Sequence, residues 1–134
     1  MPLRPECIHF RGDKPCAFKR LCKGCPHFEP FPTKILVIKC RAQGDVLRTT
    51  PLLPALKRKY PLSFTSWLVD QESLELLLHN PWINRLHPYD LENVLTLLSE
   101  QFDVVISLDK EPGLTSLATK VSARQKFGFG MNDR

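Results

Sequence analysis

The chain has 134 residues and a formal net charge of +5, and 43% of its residues are hydrophobic and 25% charged. This composition is that of a globular protein and excludes a wholly disordered chain; the length gives room for one ordinary domain with a small addition. Because the apolar runs are short, the sequence predicts neither a membrane span nor a secretory signal, and a cytoplasmic location is expected.

The first 33 residues differ in composition from the rest of the chain. They hold six Lys and Arg against three Asp and Glu, so most of the positive charge lies here. Such a surplus attracts phosphate groups, nucleic acid or anionic lipid, or is simply a solvated basic surface. Two prolines in EPFPT (residues 29–33) interrupt periodic structure. The sequence therefore predicts a boundary between a module at 1–33 and a domain at 34–134.

The N-terminal module is predicted to bind a metal. Its four cysteines end in a CxxC pair and have His9 and His27 close by, and either histidine could replace a thiolate. A closed set of four thiolates suits a structural zinc ion, and an iron–sulfur cluster is the second alternative. Disulfides or free thiols are the third, but disulfides need an oxidising compartment. The predicted metal ligands, which would staple a segment with few apolar residues, are Cys7, Cys16, Cys22 and Cys25.

After the module, strand and helix patterns alternate. The run ILVIK at residues 35–39 predicts a strand buried on both faces, and Cys40 at its end is expected to be a buried thiol. Residues 46–60 predict a helix with a basic last turn, although Pro51 points to an irregular entry and a regular helix from about Thr50. A strand at 64–69 and a helix at 71–79 follow.

The second half of the domain repeats the alternation. The pattern predicts a short strand at 85–88, a helix at 91–101, a strand at 104–108, a helix at 114–121 and a fifth strand at 125–129. Strands separated by helices of this length favour parallel crossovers. The predicted fold class is α/β, a Rossmann-like parallel sheet with helices on both faces, preceded by the small metal-stapled segment.

The turn CRAQGDVLRTTP, after the first strand, is the main candidate site. Its one glycine does not meet the GxGxxG dinucleotide fingerprint or the phosphate-loop pattern, so a nucleotide cradle is not expected here. Asp45 stands at a strand end, where ligands gather in parallel sheets, beside Gly44, which permits close backbone approach. Its carboxylate could accept a proton from a substrate hydroxyl, or it could simply cap the helix.

An ordered series of motifs connects this turn to a known family. The stretch KILVIKCRAQGDVLRTTPLLPALKRKYP is followed by a strand ending in WLVD, then by HNPWINRLHPYD, VVISLDKEP and KFGFG. The series resembles the start of glycosyltransferase family 9, the family of ADP-heptose:lipopolysaccharide heptosyltransferases. The resemblance covers residues 34–130, and GDVLRTTPLL is its most specific part.

This resemblance implies the N-terminal half of a GT-B glycosyltransferase, an enzyme with two Rossmann-like domains facing a cleft. It implies that this half binds a glycan or glycolipid acceptor. A nucleotide-sugar donor would be bound mainly by a second domain after Arg134, and no activity is expected without that domain. The acceptor would be lipopolysaccharide or another cell-envelope glycan, with peripheral association at the inner face of the membrane. Asp45 would be the catalytic base of an inverting transfer. The expected substrate contacts are Gly44, Arg48, Thr49 and Lys110.

The chain departs from the family pattern on the acceptor side. Heptosyltransferases often have Ser-Ser ahead of the Gly-Asp pair and Gln-Gly after the fourth strand, where this chain has Arg41-Ala42-Gln43 and Lys110-Glu111-Pro112. The acceptor is therefore expected to differ from the usual lipid A core. The alternative function is a non-enzymatic, metal-stapled binding module for nucleic acid or a protein partner. Nucleic acid is the less favoured partner because no basic stripe with interleaved aromatics is present.

Overall fold

The structure, a computed structural model, describes residues 32–130. This part of the chain folds as five strands that alternate with helices, as the sequence predicts. The strands are β1 (Thr33–Ile38), β2 (Ser63–Val69), β3 (Arg85–Pro88), β4 (Gln101–Ser107) and β5 (Ser122–Gly128). The helices are α1 (Gln43–Thr49), α2 (Leu52–Lys59), α3 (Leu74–Leu77, after a 3₁₀ turn at Gln71–Ser73), α4 (Leu91–Ser99) and α5 (Pro112–Lys120).

The five strands form one parallel sheet in the order β3-β2-β1-β4-β5. Alternate residues of β1 enter two separate cores: Ile35 and Val37 pack with α1, α2 and α3, while Leu36 and Ile38 pack with α4 and α5. Helices thus cover both faces of the sheet, which is why the central strands consist of continuous apolar runs. The predicted Rossmann-like fold class is confirmed for these residues.

The helix predicted at 46–60 is in fact two helices. The predicted irregular entry is a regular helix, α1, and the chain turns at Thr50 and Pro51 before α2 begins at Leu52. Pro51 is the residue before α2, and Pro54 lies within the first turn of α2. A helix leaves its first N–H groups without intrahelical partners, so a proline there loses no hydrogen bond.

An ion network ties together the amino-terminal ends of three strands. Glu100, just before β4, contacts Lys34 of β1 at 3.2 Å and Arg85 of β3 at 3.0 Å. Asp103 of β4 accepts a hydrogen bond of 2.7 Å from the backbone N–H of Lys34. The charged side chains at this edge of the sheet are therefore paired with one another.

No helix among residues 32–130 is long and apolar enough to cross a membrane. The four cysteines of the predicted metal-binding module lie outside the described residues, so the module and its boundary stay predictions.

His87 of β3 should make the stability of this fold depend on pH. Its side chain is 4% exposed, Nδ1 lies 2.8 Å from Oδ1 of Asn93, and Nε2 is buried without a hydrogen-bond partner in the described part of the chain. Burial lowers the pKa of His87, so the fold prefers the neutral ring. That contribution to stability is present above the ordinary histidine pKa and is lost as pH falls through the lower folded-state value.

Denaturant unfolding at a series of pH values between 7 and 5 would test this effect. The free energy of unfolding of the wild type should fall with decreasing pH more steeply than that of His87→Gln, by at most about 1.4 kcal/mol per pH unit. Parallel curves for the two proteins would show that His87 has no part in the dependence.

Candidate functional site

The carboxyl-terminal edge of the sheet brings together the loops that follow β1, β2, β3 and β4. From β1 the chain continues to β2 on one side, whereas β4 lies on the other side of β1. The boundary between β1 and β4 is thus the point where the strand order reverses. Ligands of open α/β sheets bind in the crevice at such a point. This edge is therefore the candidate functional site.

A buried ion pair lies at this reversal point. Nζ of Lys39, after β1, contacts Oδ1 of Asp109, after β4, at 2.6 Å, and the two side chains are 11% and 4% exposed. The other carboxylate oxygen of Asp109 accepts a hydrogen bond of 2.5 Å from the backbone N–H of Cys40. The Lys39 carbonyl accepts a hydrogen bond of 3.1 Å from the indole N–H of Trp67. These contacts fix the ends of β1 and β4 against each other.

The Cys40 thiol is fully buried at the same edge, as expected. Its Sγ donates to the carbonyl of Leu68 at 3.4 Å. Burial, followed by the nearby negative charge of Asp109, raises the pKa of this thiol far above its ordinary value. Because the reactive form of cysteine is the thiolate, full burial and the raised pKa favour a packing role for Cys40.

Arg41 links three of the loops at this edge. Its Nη1 lies 3.3 Å from Oδ2 of Asp70, after β2, and its Nε lies 2.9 Å from Oε2 of Glu111, after β4. The guanidinium also stands 5.7 Å from the ring centre of Tyr89, after β3. Partial burial raises the pKa of the Asp70 carboxyl, and the charge of Arg41 opposes that shift. Arg41 is thus held by one contact from each neighbouring loop.

The turn between β1 and α1 contains an unusual backbone conformation. Ala42, the residue before α1, has a φ of 65°. Residues other than glycine rarely adopt this backbone conformation. The Ala42 carbonyl accepts a hydrogen bond from the N–H of Val46, which closes the first turn of the helix. Asp45 is the third residue of α1, and no side-chain capping bond is present at this helix start. The alternative in which Asp45 serves as the helix cap is therefore wrong.

The structure collects four of the five predicted catalytic and substrate-binding residues on α1. Asp45 is 55% exposed, and its carboxylate lies 3.8 Å from Nη1 of Arg48. The hydroxyl of Thr49 donates to the Asp45 carbonyl at 2.7 Å. A Cβ added to Gly44 would meet no atom within 4 Å. The fifth, Lys110, lies on the loop after β4, with Nζ 5.0 Å from the ring centre of Phe129. The assigned roles of all five stay predictions.

Sequence reasoning did not identify the charged residues that surround this turn. Lys39 and Asp70 directly follow β1 and β2, at the ends of ILVIK and SWLVD, and Asp109 comes two residues after β4, following VVISL. A charged residue at the end of an apolar run was the available signal, because such a residue lies at the binding edge of a parallel sheet. Among residues 32–130 no group of three metal-ligating side chains could hold an ion.

Comparisons with known proteins point in one direction. No family model matches the sequence. The chain is 32% identical over 100 residues to lipopolysaccharide heptosyltransferase 3 of Escherichia coli K12. This alignment covers 65% of the chain and 29% of that protein. It is 27% identical over 113 residues to the lipopolysaccharide core heptosyltransferase OpsX of Haemophilus influenzae, which covers 78% of the chain and 32% of that protein.

Solved structures show the same likeness. A glycosyl transferase of family 9 from Veillonella parvula superposes with a TM-score of 0.62 at 25% identity, over 74% of this chain and 32% of that one. The E. coli heptosyltransferase WaaC with ADP superposes with a TM-score of 0.59 at 21% identity, over 69% of this chain and 33% of that one, and shows the fold alone. The chain therefore spans about a third of the length of the relatives that it matches.

Proposed function

We propose that the described domain is heptosyltransferase-like, of the glycosyltransferase family 9 type, and that it is the acceptor-binding part of an inverting glycosyltransferase. The whole protein would transfer a heptose-like sugar from a nucleoside-diphosphate donor to lipopolysaccharide or another cell-envelope glycan. The relatives are heptosyltransferases by name, and one matching structure is WaaC with ADP-2-deoxy-2-fluoro heptose. The donor would be bound mainly by the part of the relatives that this chain does not cover.

Asp45 is the proposed general base. The observation that carries the proposal is an exposed carboxylate beside a glycine with open space above it, at the edge where the strand order reverses. The carboxylate would take the proton of an acceptor hydroxyl as the hydroxyl oxygen attacks the anomeric carbon. The bond from that carbon to the diphosphate breaks on the opposite side, so the configuration inverts and the nucleoside diphosphate leaves.

The acceptor contacts are proposed for the remaining predicted residues. Arg48 is 84% exposed, so its guanidinium is free to pair with a phosphate or carboxylate of the acceptor in place of its long contact to Asp45. Lys110 would contribute a second positive charge from the loop after β4. The acceptor would be lipopolysaccharide or another glycan of the cell envelope, and the reaction is proposed to take place in the cytoplasm at the inner face of the membrane.

A transfer assay tests the proposed function. The full-length protein that contains this chain would be incubated with ADP-heptose and, in parallel, with other nucleoside-diphosphate sugars, each with truncated lipopolysaccharide cores as acceptors. Mass spectrometry would detect an acceptor heavier by one sugar, and NMR would determine the anomeric configuration of the product. The absence of transfer from every donor would contradict the proposal, and retention of configuration would contradict the inverting mechanism.

Gly44→Ala should separate folding from substrate binding. Since an added Cβ meets nothing within 4 Å and alanine favours a helix over glycine, the variant should gain about 0.5–1 kcal/mol in free energy of unfolding. If the acceptor approaches the backbone here, the same methyl group should raise KM for the acceptor. Denaturant unfolding and transfer kinetics give the two readouts. Full activity together with higher stability would remove Gly44 from the acceptor site.

The metal site remains a proposal from sequence. A zinc ion held by Cys7, Cys16, Cys22 and Cys25 would have a structural role, since four thiolates leave no open position for chemistry. Elemental analysis of protein purified without a histidine tag should find about one zinc per chain. A content far below one, or iron together with acid-labile sulfide, would contradict this assignment.

A further inference from the structure

We propose that Arg41 is the positioning residue that holds the Asp45 carboxylate in place, an inference that rests on the proposed function. Asp45 itself has little to fix it: it is more than half exposed, and its carboxylate contact is a 3.8 Å approach to the more exposed Arg48. Its position in space is therefore set by the backbone of α1. The question becomes what sets the direction of α1.

Helix α1 does not determine its own position. It has only seven residues, includes Gly44 and has no side-chain cap at its start. Short helices with such features depend on tertiary contacts. The turn before it contains Ala42 at a φ of 65°, a conformation that costs about 1–3 kcal/mol and persists only where the surroundings enforce it. Val46 of α1 is buried in the core, and the residues on either side of Ala42 make further contacts that hold this turn.

Both neighbours of Ala42 are tied to other loops. On one side, Arg41 contacts Asp70 at 3.3 Å and Glu111 at 2.9 Å. On the other side, the side-chain amide of Gln43 donates to the Glu72 carbonyl at 2.9 Å. The strained residue is thus held between two anchors, and Arg41 is the one that reaches loops on both sides of β1.

The chemistry of Arg41 suits this role better than a lysine would. The guanidinium presents separate N–H groups in a rigid fork, so Nε binds Glu111 while Nη1 faces Asp70 and the plane approaches Tyr89. An ammonium group is a point charge and cannot reproduce this geometry. Because the Arg41 side chain is 48% exposed, its ion pairs add little to global stability. Its loss should therefore affect catalysis far more than folding.

Two variants of the full-length protein test the proposal. Arg41→Met should lower kcat for sugar transfer by about 10- to 100-fold with little change in KM for either substrate, because small misplacements of a catalytic group have effects of this size. Arg41→Lys should restore only part of the loss. The matched control is Arg85→Met, which removes a similar arginine–carboxylate pair at the opposite edge of the sheet and should leave kcat unchanged.

A second readout does not depend on activity. Hydrogen exchange of the α1 amides, including the Val46 N–H that bonds the Ala42 carbonyl, should become faster by about tenfold or more in Arg41→Met while the amides of β1 stay protected. Unchanged exchange in α1, an unchanged kcat, or a raised acceptor KM at constant kcat would each overturn the positioning role. An inactive wild type would contradict the proposed function alone, and exchange would still decide whether Arg41 holds α1.

Discussion

Replacing Asp45 by Asn in the full-length protein is expected to lower kcat for sugar transfer by about 10²- to 10⁴-fold, the usual contribution of a general base. Asparagine has nearly the same shape as aspartate but cannot accept the proton of the acceptor hydroxyl. The side chain is exposed, caps no helix and makes one long contact with Arg48, so the variant should fold normally. Donor affinity should also be unchanged, because the donor is proposed to bind elsewhere.

Glu92→Gln is the matched control for this experiment. Glu92 is also an exposed carboxylate in the first turn of a helix, α4, and its carbonyl accepts a bond from the hydroxyl of Thr96 as that of Asp45 does from Thr49. Glu92→Gln should retain wild-type kcat and stability. An Asp45→Asn protein that keeps more than about a third of wild-type kcat would exclude Asp45 as the base.

Most of the sheet could be predicted because its central strands are buried on both faces. A run such as ILVIK needs no long-range information to be recognised as a strand. The exceptions lie at two strand starts: β4 begins at Gln101, three residues before the prediction, and so does β5, at Ser122. Strand β5 is exposed over most of its length, and its first residues are Ser122, Ala123 and Arg124. Its extended conformation is set by pairing with β4, which no local pattern records.

The candidate site was predictable where it depends on chain order and not where it depends on long-range contacts. The place of Asp45 after the first strand follows from the order of the elements alone. The conformation of Ala42, with a φ of 65°, is one that local propensity would not favour, and the sequence did not predict this residue as the helix start. The ion pair of Lys39 and Asp109 joins residues that are 70 positions apart in the chain. The ion pair of Arg41 and Glu111 joins residues that are similarly far apart. Periodicity carries no signal for such pairs.

The Lys39–Asp109 pair should produce the largest change in stability. Lys39→Met leaves the Asp109 carboxylate buried without its cation, and removing one partner of a buried pair costs about 3–5 kcal/mol. Since a domain of this kind is stable by about 5–15 kcal/mol in total, this loss would remove a large share of its stability. Denaturant unfolding would give the free energy. As a comparison, Arg124→Met, which removes an exposed pair with Asp103 at 3.6 Å, should cost less than about 1 kcal/mol.

The double variant decides whether the cost arises from the unpaired charge. In Lys39→Met with Asp109→Asn no buried charge remains, and the asparagine oxygen can still accept the bond from the Cys40 N–H. It should therefore be more stable than Lys39→Met alone, by about 1 kcal/mol or more, since buried ion pairs give little net stabilisation over neutral residues. Additive losses from the two substitutions would mean instead that each side chain stabilises the edge separately. In that case the unpaired charge would not be the source of the cost of Lys39→Met.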